Sequence, residues 1–484
     1  MKIVWKDSTL GLRNSTTRLP FRYGSATLTK CPQATLRVEI EAAGRRTAGF
    51  SGDCFPPAWF DKTPGKSFAQ QIDDMLWVIA AAEREFSAAL REPAPLFPAW
   101  FEASHSVHAQ AAARELPALL ASFGVSMVER ALIDAIARAA HLSFRQTVAE
   151  NLLALEPSRV HPQLAGMAPN DWLPKQPLAD IFVRHTVGLG DPLTANDIPP
   201  EERLNDGYPQ SLEEYIAENG LKYLKIKVAN QLDSDLDRLR TIAALIEGYR
   251  GADYRVTLDG NEQYKSAAEL QELVDRLQAA PELKTLLANC EVLEQPLARR
   301  IALDERHTRG IAKLSQWLPV IIDESDGEVD SFARAVELGY RGVSSKNCKG
   351  PIKSLLNAGL ISKLNEQNRQ DHYVMTGEDL CSVGVIPVQA DLCLASAIGL
   401  EHVERNGHHY HPGLSYLPPA QQEAALAAHG DFYQRRHDRV SVRIDSGRVQ
   451  VKSLQCVGFG FAVEPDFASM QSPDEWNFES LGIS

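Results

Sequence analysis

The sequence predicts an α/β protein in which a closed parallel barrel follows an α+β segment. First, eight short apolar runs alternate with amphipathic segments between about residues 180 and 412, and such repeated βα units are typical of a barrel. Second, no GxGxxG or GxxxxGK turn follows the first run, which disfavours the competing open, doubly wound sheet. Third, 484 residues are enough for a barrel and a further domain.

The N-terminal part begins with strands and continues with helices. Residues 18–29 and 33–44 show the alternation and the β-branched content of strands. Residues 67–91 and 112–156 carry apolar positions at helical spacing. We therefore expect an α+β domain over residues 1–165.

Eight short apolar runs predict the barrel strands. They cover residues 181–187, 223–228, 254–259, 290–296, 318–324, 340–346, 371–377 and 398–403. Ser266 and Glu269 form a capping-box pattern that predicts the start of a helix between the third and fourth strands. The barrel domain is expected over residues 175–412.

The segment 413–484 is predicted to pack on the N-terminal domain. Its pattern indicates a helix over residues 419–436 and strands over 440–445 and 448–454. The proline-rich stretch 156–200 is typical of a connecting loop.

Composition excludes several classes of protein. With 44% hydrophobic and 23% charged residues the chain is globular, and a net charge of −13 makes it a poor partner for nucleic acid or an anionic membrane. The mean hydropathy is −0.24, and no apolar run is long enough to span a bilayer. Seven cysteines without a CxxC pair, and an N-terminus without an apolar signal segment, favour a reducing cytoplasm.

Ionisable residues stand where the predicted strands end. Taken along the chain, they are Lys225 and Lys227, Asp259, Glu294, Asp323, Lys346 and Glu378. From Lys227 onward, successive positions are separated by 23 to 35 residues, about one strand–helix unit each. Because the carboxyl ends of barrel strands meet at one rim, which carries the active site in such folds, we expect these side chains to lie together.

Three of these residues are acids on adjacent strands. Carboxylates as close as those of Asp259, Glu294 and Asp323 would repel one another unless a cation joined them. Mg²⁺ prefers oxygen ligands, and the sequence contains no HExxH motif or Cys/His cluster at zinc spacing. The sequence therefore predicts a magnesium site.

Two lysines end strands on either side of the acidic strands. A substrate at the metal would lie between Lys227 and Lys346, while strand alternation places Lys225 on the same side as Lys227. An ammonium group close to another cation gives up its proton more easily, so we expect Lys227 to act as a base near neutral pH. Any one of these residues alone is more typical of a solvated strand end, but six positions in register favour a catalytic site.

The motifs around these positions resemble the enolase superfamily and, within it, the mandelate racemase/muconate lactonizing enzyme family. They are LKIKV, TLDGNE, VLEQP, IIDES and VSSKNCKG in the barrel, and PFRYGSATLT and VERALIDAIA before it. The resemblance implies a modified (β/α)7β barrel under an α+β capping domain. Departures from the usual pattern are the long segments 156–220 and 413–484, the pair Ser344–Ser345, and Gly350–Pro351.

The resemblance also implies a role for each matching residue. Asp259, Glu294 and Asp323 would bind Mg²⁺, Lys227 and Lys346 would be acid/base groups on opposite faces of the substrate, and Lys225 would help to hold the substrate carboxylate. Asn261 and Glu324 would surround the metal and the lysines, and Glu378 would face the substrate. His185, at the end of the first strand, and Arg22 and Tyr23, in the capping loop, are candidate substrate contacts.

The expected reaction is Mg²⁺-dependent removal of the proton α to a substrate carboxylate, which gives a metal-stabilised enolate. Racemisation or epimerisation, cycloisomerisation, or β-elimination would follow. An acid-sugar dehydratase is the alternative enzyme, although such relatives usually carry a histidine paired with an aspartate as the opposite-face base. A non-catalytic binding barrel is the alternative of another class. The expected partner is a small-molecule carboxylate, without nucleic acid or membrane, and the chain is expected to form a homo-oligomer.

Overall fold

The computed structural model describes residues 1–24, 26–368 and 371–483. Its N-terminal part is an antiparallel sheet, in the strand order β3-β2-β1-β4, covered by helices. Alternate side chains of β2, among them Leu36, Val38 and Ile40, are fully buried, as the alternation in the sequence predicts. The elements are β1 (Lys2–Tyr23), β2 (Ala26–Ala42), β3 (Arg45–Cys54), α1 (Phe68–Ala89), β4 (Ala94–Pro95), α2 (Leu96–Ala113), α3 (Ala118–Ala140) and α4 (Phe144–Ala149).

Helix α3 is the central element of this region. Its residues from Leu119 to Ala137 are all buried, because the sheet packs on one side of the helix and barrel loops pack on the other. Gly49 of β3 allows the close approach of the sheet, since a Cβ atom there would lie 2.2 Å from the carbonyl oxygen of Ala131. On the barrel side, Ser126 donates a hydrogen bond to the carbonyl oxygen of Asn347. The helix thus joins the sheet to the loop that follows Lys346.

Eight parallel strands form the closed barrel, in which β12 pairs with β5. This closure confirms the predicted fold class. The elements are β5 (Asp180–Val187), α5 (Leu212–Asn219), β6 (Tyr223–Lys227), α6 (Leu232–Arg250), β7 (Arg255–Asp259), α7 (Ala267–Gln278), α8 (Lys284–Ala288), β8 (Cys290–Glu294), α9 (Glu305–Thr308), α10 (Ile311–Trp317), β9 (Val320–Ile322), α11 (Ser331–Glu337), β10 (Gly342–Ser345), α12 (Pro351–Gln367), β11 (Val374–Gly377), α13 (Ile386–Ile398) and β12 (His402–Glu404).

The C-terminal segment contacts both regions. Leu12 of β1 forms a bridge with Gln471, and β15 pairs antiparallel with β5 of the barrel. The elements are α14 (Gly407–Tyr410), α15 (Pro419–Ala428), β13 (Tyr433–Arg436), β14 (Arg439–Val442) and β15 (Arg448–Gln450). The division into domains at 165, 175 and 412 stays a prediction.

Three predicted elements differ from the structure. The eighth barrel strand begins at His402, because α13 continues to Ile398 and ends at Gly399 in the left-handed conformation. The helix predicted over 112–156 is divided at His141, which has a positive φ and ends α3. Helix α2 was not predicted. Residues 433–436 form a hairpin strand paired with β14 and do not continue the helix before them. In the part of the chain that the structure describes, no helix has the length and apolar character needed to cross a membrane.

A buried glutamate joins the capping helices to the barrel. Glu129 of α3 is 1% exposed and accepts hydrogen bonds from the indole nitrogen of Trp100 at 2.9 Å and from the backbone nitrogen of Ile352 at 2.6 Å. Burial raises the pKa of Glu129 to about 7, although both hydrogen bonds oppose that change. The folded protein therefore binds this proton more tightly than the unfolded chain does.

We expect the contribution of Glu129 to the free energy of unfolding to fall as the pH rises from 4.5 to about 7, because ionised Glu129 is disfavoured by burial. The Glu129→Gln variant lacks this ionisation, so its stability relative to the parent should rise by up to about 3 kcal/mol across that range. Urea unfolding of both proteins at the two ends of the range measures the difference. Exposed Glu150→Gln is the control, and an equal shift in both variants would contradict the assignment.

Candidate active site

A cavity lies at the carboxyl ends of the barrel strands, beneath the capping sheet, and together with its opening to solvent it spans about 480 Å³. Its barrel wall is polar and consists of Lys225, Lys227, Asp259, Asn261, Asp323, Glu324, Lys346, Asp379, Glu404 and Asn406. Its other wall is mainly apolar and consists of Phe21, Tyr23, Leu28, Pro56, Trp59, Leu380 and Cys381. The hydroxyl of Tyr23 donates a hydrogen bond to the carbonyl oxygen of Pro57 at 2.7 Å, so that polar group is already paired.

Lys225 lies at the centre of the buried charges. Its Nζ atom is 2.7 Å from Glu294 Oε1, 2.7 Å from Glu378 Oε2, 3.2 Å from Glu404 Oε2 and 3.4 Å from Asp259 Oδ2. All these side chains project into the barrel from the strands or from the residues directly after them. One ammonium group therefore balances part of a larger negative charge.

The pKa values follow from this excess of carboxylates. Burial alone would lower the pKa of Lys225, but the four surrounding carboxylates raise it well above its ordinary value. Burial also raises the pKa of Glu294 to about 8, and the charges of Asp259, Asp323 and Glu404 add to that effect while Lys225 opposes it. Lys225 is thus a neighbouring ammonium group for Lys227, as the sequence predicts, but it also pairs with carboxylates on other strands.

Asp323 is paired with two other lysines. Its Oδ2 atom lies 2.8 Å from Lys346 Nζ, and its Oδ1 atom lies 3.1 Å from Lys349 Nζ. Burial opposes ionisation of Asp323, but the two ammonium groups together hold its pKa below the ordinary range. Asp323 raises the pKa of Lys346 in return, although burial acts in the opposite direction. Lys346 is therefore ionised at neutral pH as it stands in this structure.

Two further side chains orient these groups. The side-chain oxygen of Gln295 accepts hydrogen bonds from the backbone nitrogens of Asp323 at 2.7 Å and Ser325 at 3.1 Å, which fixes the end of β9. The ring of Trp59 lies 4.6 Å from Lys346 Nζ, a distance at which a cation is attracted to an aromatic face. The predicted pair Asn261 and Glu324 both line the cavity, and the backbone nitrogen of Asn261 donates to Asp259 Oδ1 at 2.8 Å.

The residues fit a hard divalent cation in their chemistry. Glu294 Oε2 and Glu324 Oε2 are buried oxygen atoms without a hydrogen-bond partner among the described residues, and burial, together with neighbouring carboxylates, raises the pKa of Glu294. As the side chains are placed, no group of three His, Cys, Asp or Glu residues within the described ranges converges closely enough to hold a metal ion. Lys225 lies between Asp259 and Glu294, and Asp323 is turned towards Lys346 and Lys349. A bound cation would therefore compete with these ammonium groups for the same oxygens.

Lys227 and Lys346 both reach the cavity, from strands β6 and β10. Three strands, which carry Asp259, Glu294 and Asp323 at or just after their ends, separate them in the barrel. Lys227 Nζ is 3.9 Å from the nearest carboxylate oxygen, Oδ2 of Asp259, and is therefore less tightly paired than Lys346. The two amines thus approach the cavity from different sides.

Of the four predicted substrate contacts, Tyr23 lines the cavity and Arg22, Glu378 and His185 do not. Tyr23 lines the cavity, whereas exposed Arg22 lines a separate cleft beside residues 189–193. Glu378 lies beneath the cavity floor, bonded to Arg184 and Lys225. His185 points to the outside of the barrel, where its Nδ1 atom lies 3.0 Å from His408 Nε2, because its neighbours Arg184 and Thr186 occupy the inward positions of β5.

Several residues of the site were missed in the sequence. Glu404 is the last residue of β12, and Asn406 lies two residues after it. The predicted strand, over residues 398–403, ends one residue before Glu404. Asp379, directly after Glu378, accepts hydrogen bonds from Asn406 and is paired with Arg405 at 2.9 Å. With the correct end of the eighth strand, the sequence would have indicated Glu404 as a further acid at the barrel rim. The sequence pattern did not indicate Lys349, because a short 3-10 turn after β10 brings its side chain into contact with Asp323.

The family model described as Enolase C-terminal domain-like matches residues 208–348, a segment that contains Asp259, Glu294 and Asp323 and also Lys225, Lys227 and Lys346. No curated protein shows significant sequence similarity to the chain. Solved structures with the same fold include a mandelate racemase/muconate lactonizing protein from Herpetosiphon aurantiacus, with a TM-score of 0.60 and 16% identity over 96% of this chain and 99% of that one.

Two further structures are similar over nearly their full lengths. The N-succinyl Arg/Lys racemase from Bacillus cereus has a TM-score of 0.59 and 15% identity, covering 96% of each chain. The dipeptide epimerase from Enterococcus faecalis, complexed with Mg and the dipeptide L-Leu-L-Tyr, has a TM-score of 0.58 and 15% identity over 96% of this chain and 100% of that one. Because the identities are this low, the structural similarity establishes a shared fold alone.

The segment 208–348 thus matches the Enolase C-terminal domain-like model, and the chain shares its fold with these solved structures. This shared fold confirms the barrel and capping domain that the resemblance in the sequence motifs implies.

Proposed function

We propose that this protein is a Mg²⁺-dependent enzyme that exchanges the α-proton of an organic carboxylate and racemises or epimerises that carbon. The observation that carries the proposal is the pair of amines, Lys227 and Lys346, on barrel strands separated by three acidic strands. Two acid/base groups on opposite sides of one carbon can remove a proton from one face and return it to the other. Cycloisomerisation and β-elimination begin with the same proton removal.

The residues have distinct parts in this reaction. Lys227, the less tightly paired amine, takes the α-proton in its neutral form, and Lys346, ionised beside Asp323, donates a proton to the opposite face. The reverse turnover exchanges these two roles. Asp259, Glu294 and Asp323 would hold Mg²⁺, which supplies positive charge beside the substrate carboxylate, where negative charge develops. The capping sheet covers the cavity and excludes water from it.

The apolar wall supports a substrate with an apolar substituent. Phe21 stacks on Tyr410 at 4.1 Å between ring centroids, and Leu28 and Trp59 complete a surface with few free polar groups. A second carboxylate or an ammonium group on that side of the substrate would lose its hydration without a paired partner. We therefore propose a monocarboxylate whose remote part is aliphatic or aromatic.

Proton exchange in D₂O tests the proposed function. We expect α-substituted carboxylates with apolar side groups to gain one deuterium in the presence of Mg²⁺, and chiral chromatography to show both configurations. Chelation of Mg²⁺ is the control that should stop the exchange. No deuteration of any such carboxylate by the folded, Mg²⁺-loaded protein would contradict the proposal and favour a non-catalytic barrel.

The cavity lining argues against an acid-sugar dehydratase. That reaction class relies on a histidine as the base opposite the first lysine, and no histidine is among the cavity-lining residues in the part of the chain described. His372 is exposed and precedes β11, at the end of the barrel opposite the cavity.

Replacing Trp59 by Ala should weaken recognition of large apolar substituents. Loss of the indole surface is expected to lower kcat/KM for α-aromatic carboxylates about tenfold more than for small α-methyl carboxylates, because loss of the ring beside Lys346 Nζ affects both. Competition experiments with the two substrates measure the ratio. Trp77→Ala is the matched control, since Trp77 stacks on Arg114 outside the cavity. An equal loss on both substrates would contradict a role for Trp59 in specificity.

A further inference from the structure

Strand β1 contains an irregular stretch just before it reaches the catalytic cavity. Thr16 pairs with Lys30 and Phe21 pairs with Leu28, so these two pairs are five residues apart on β1 but only two apart on β2. The three extra residues of β1 form a bulge, which bends a strand and interrupts its hydrogen-bonded ladder. Phe21 and Tyr23, which line the cavity, follow directly after this bulge. The position of the apolar wall therefore depends on what holds the bulge in place.

Arg18 lies in the bulge and binds the loop 203–210, which connects β5 to α5. Its Nε and Nη2 atoms donate to the two carboxylate oxygens of Asp206 at 2.7 and 2.8 Å. Its Nη1 atom donates to the carbonyl oxygen of Pro209 at 2.9 Å, and Nη2 also donates to that of Tyr208 at 3.1 Å. The side chain of Arg18 is only 6% exposed. A two-pronged, charge-assisted pair of this kind fixes geometry in addition to contributing energy.

The loop that binds Arg18 is itself bonded to the barrel and to the C-terminal segment. Glu214 of helix α5 accepts a hydrogen bond from the backbone nitrogen of Gln210 at 2.8 Å. The hydroxyl of Tyr208 donates to the carbonyl oxygen of Arg436, on strand β13, at 2.7 Å. Arg18 therefore connects the bulge of the capping strand to a loop whose own position is fixed at two further points.

We infer that Arg18 is a positioning residue for the apolar wall of the catalytic cavity. Its hydrogen bonds take the place of the strand pairing that the bulge interrupts, and they hold Phe21 and Tyr23 over the strand ends of the barrel. Arg18 is not among the cavity-lining residues that the structure describes, so it acts through these two side chains. The inference rests on the proposed function only in taking this cavity as the active site.

A thiol in the cavity reports the position of the wall without any turnover. Cys381 lines the same cavity and is 3% exposed, so iodoacetamide should alkylate it slowly while the wall is in place. We expect Arg18→Met to speed this alkylation by about tenfold, the effect of losing a charge-assisted hydrogen bond. Asp206→Asn should speed it less, because the bonds from Arg18 to the two backbone carbonyls remain. The double variant should react no faster than Arg18→Met, and mass spectrometry of the Cys381 peptide measures each rate.

Three comparisons separate positioning of the wall from general stability. Arg439 donates to the same carboxylate of Asp206 at 3.2 Å but lies on β14, outside the capping sheet. Arg439→Met makes the same change in net charge as Arg18→Met and should leave the alkylation of Cys381 unchanged. Cys393, fully buried in α13, reports global unfolding, and its alkylation should be the same in every variant. Arg18→Lys keeps the charge but not the two-pronged geometry, so its rate should fall between those of the parent and Arg18→Met.

Turnover supplies a second readout. With an α-aromatic carboxylate, Arg18→Met should raise KM by about tenfold and leave kcat nearly unchanged, because a displaced wall weakens binding while Lys227 and Lys346 stay in place. Parental alkylation of Cys381 in Arg18→Met, equal acceleration in Arg439→Met, equal acceleration at Cys393, or a fall in kcat without a change in KM would each overturn the inference. Absence of turnover in the parent protein would contradict the proposed function alone, since the alkylation of Cys381 needs no substrate.

Discussion

Lys346→Ala should retain α-proton exchange on one configuration of a substrate and lose it on the other, and Lys227→Ala should show the reverse. Each amine reaches the cavity from a different side of the three acidic strands, so each can reach only the proton that faces it. The affected configuration should lose about 10²–10⁴ in rate, the usual contribution of a positioned acid or base. Mass spectrometry of each pure enantiomer incubated in D₂O measures the two rates separately.

The control for these variants is Lys222→Ala. Lys222 directly precedes β6, pairs with Asp253 near the surface, and should have no effect on either rate. Lys225→Ala is expected to impair exchange on both configurations and also to destabilise the fold, since it leaves several buried carboxylates without their shared cation. If both cavity lysines affected both configurations equally while substrate binding persisted, only one of them would be a base, and elimination would become the better proposal.

Glu294→Gln should reduce Mg²⁺ affinity by about tenfold or more and stop proton exchange. The substitution removes one anionic oxygen donor from the buried set and keeps the volume of the side chain. The remaining carboxylates of Glu378, Glu404 and Asp259 still pair with Lys225, so we expect the fold to be retained. Isothermal titration with Mg²⁺ reports the affinity without relying on turnover.

Strand β8 supplies the comparison for this variant. Glu291 lies three residues before Glu294, pairs with His402 at 2.8 Å and is outside the catalytic cavity. Glu291→Gln should bind Mg²⁺ as the parent does. Parental Mg²⁺ affinity in Glu294→Gln, together with full activity, would show that Glu294 is not a metal ligand.

The barrel and the rim of charged residues could be predicted from the sequence because both depend on local pattern. Short apolar runs alternate with helices at the spacing of βα units, and strand ends bring their residues to one rim whatever the intervening loops do. Lys225, Lys227, Asp259, Asp323 and Lys346 line one cavity for this reason. The substrate contacts were less predictable, since alternation turns His185 of β5 outward and turns Arg22 of β1 away from the cavity that its neighbours Phe21 and Tyr23 line.

The amino-acid sequence by itself determined the fold class and the set of acids and lysines at the strand ends, since strand periodicity and residue type are properties of short segments. Only the tertiary structure decided how those charges pair. Lys225 lies among four carboxylates from different strands, and Lys349 returns to Asp323 through a short turn. The physical reason is that ion pairing inside a barrel depends on distances between strands far apart in the chain, and burial strengthens each pairing that the closed barrel permits.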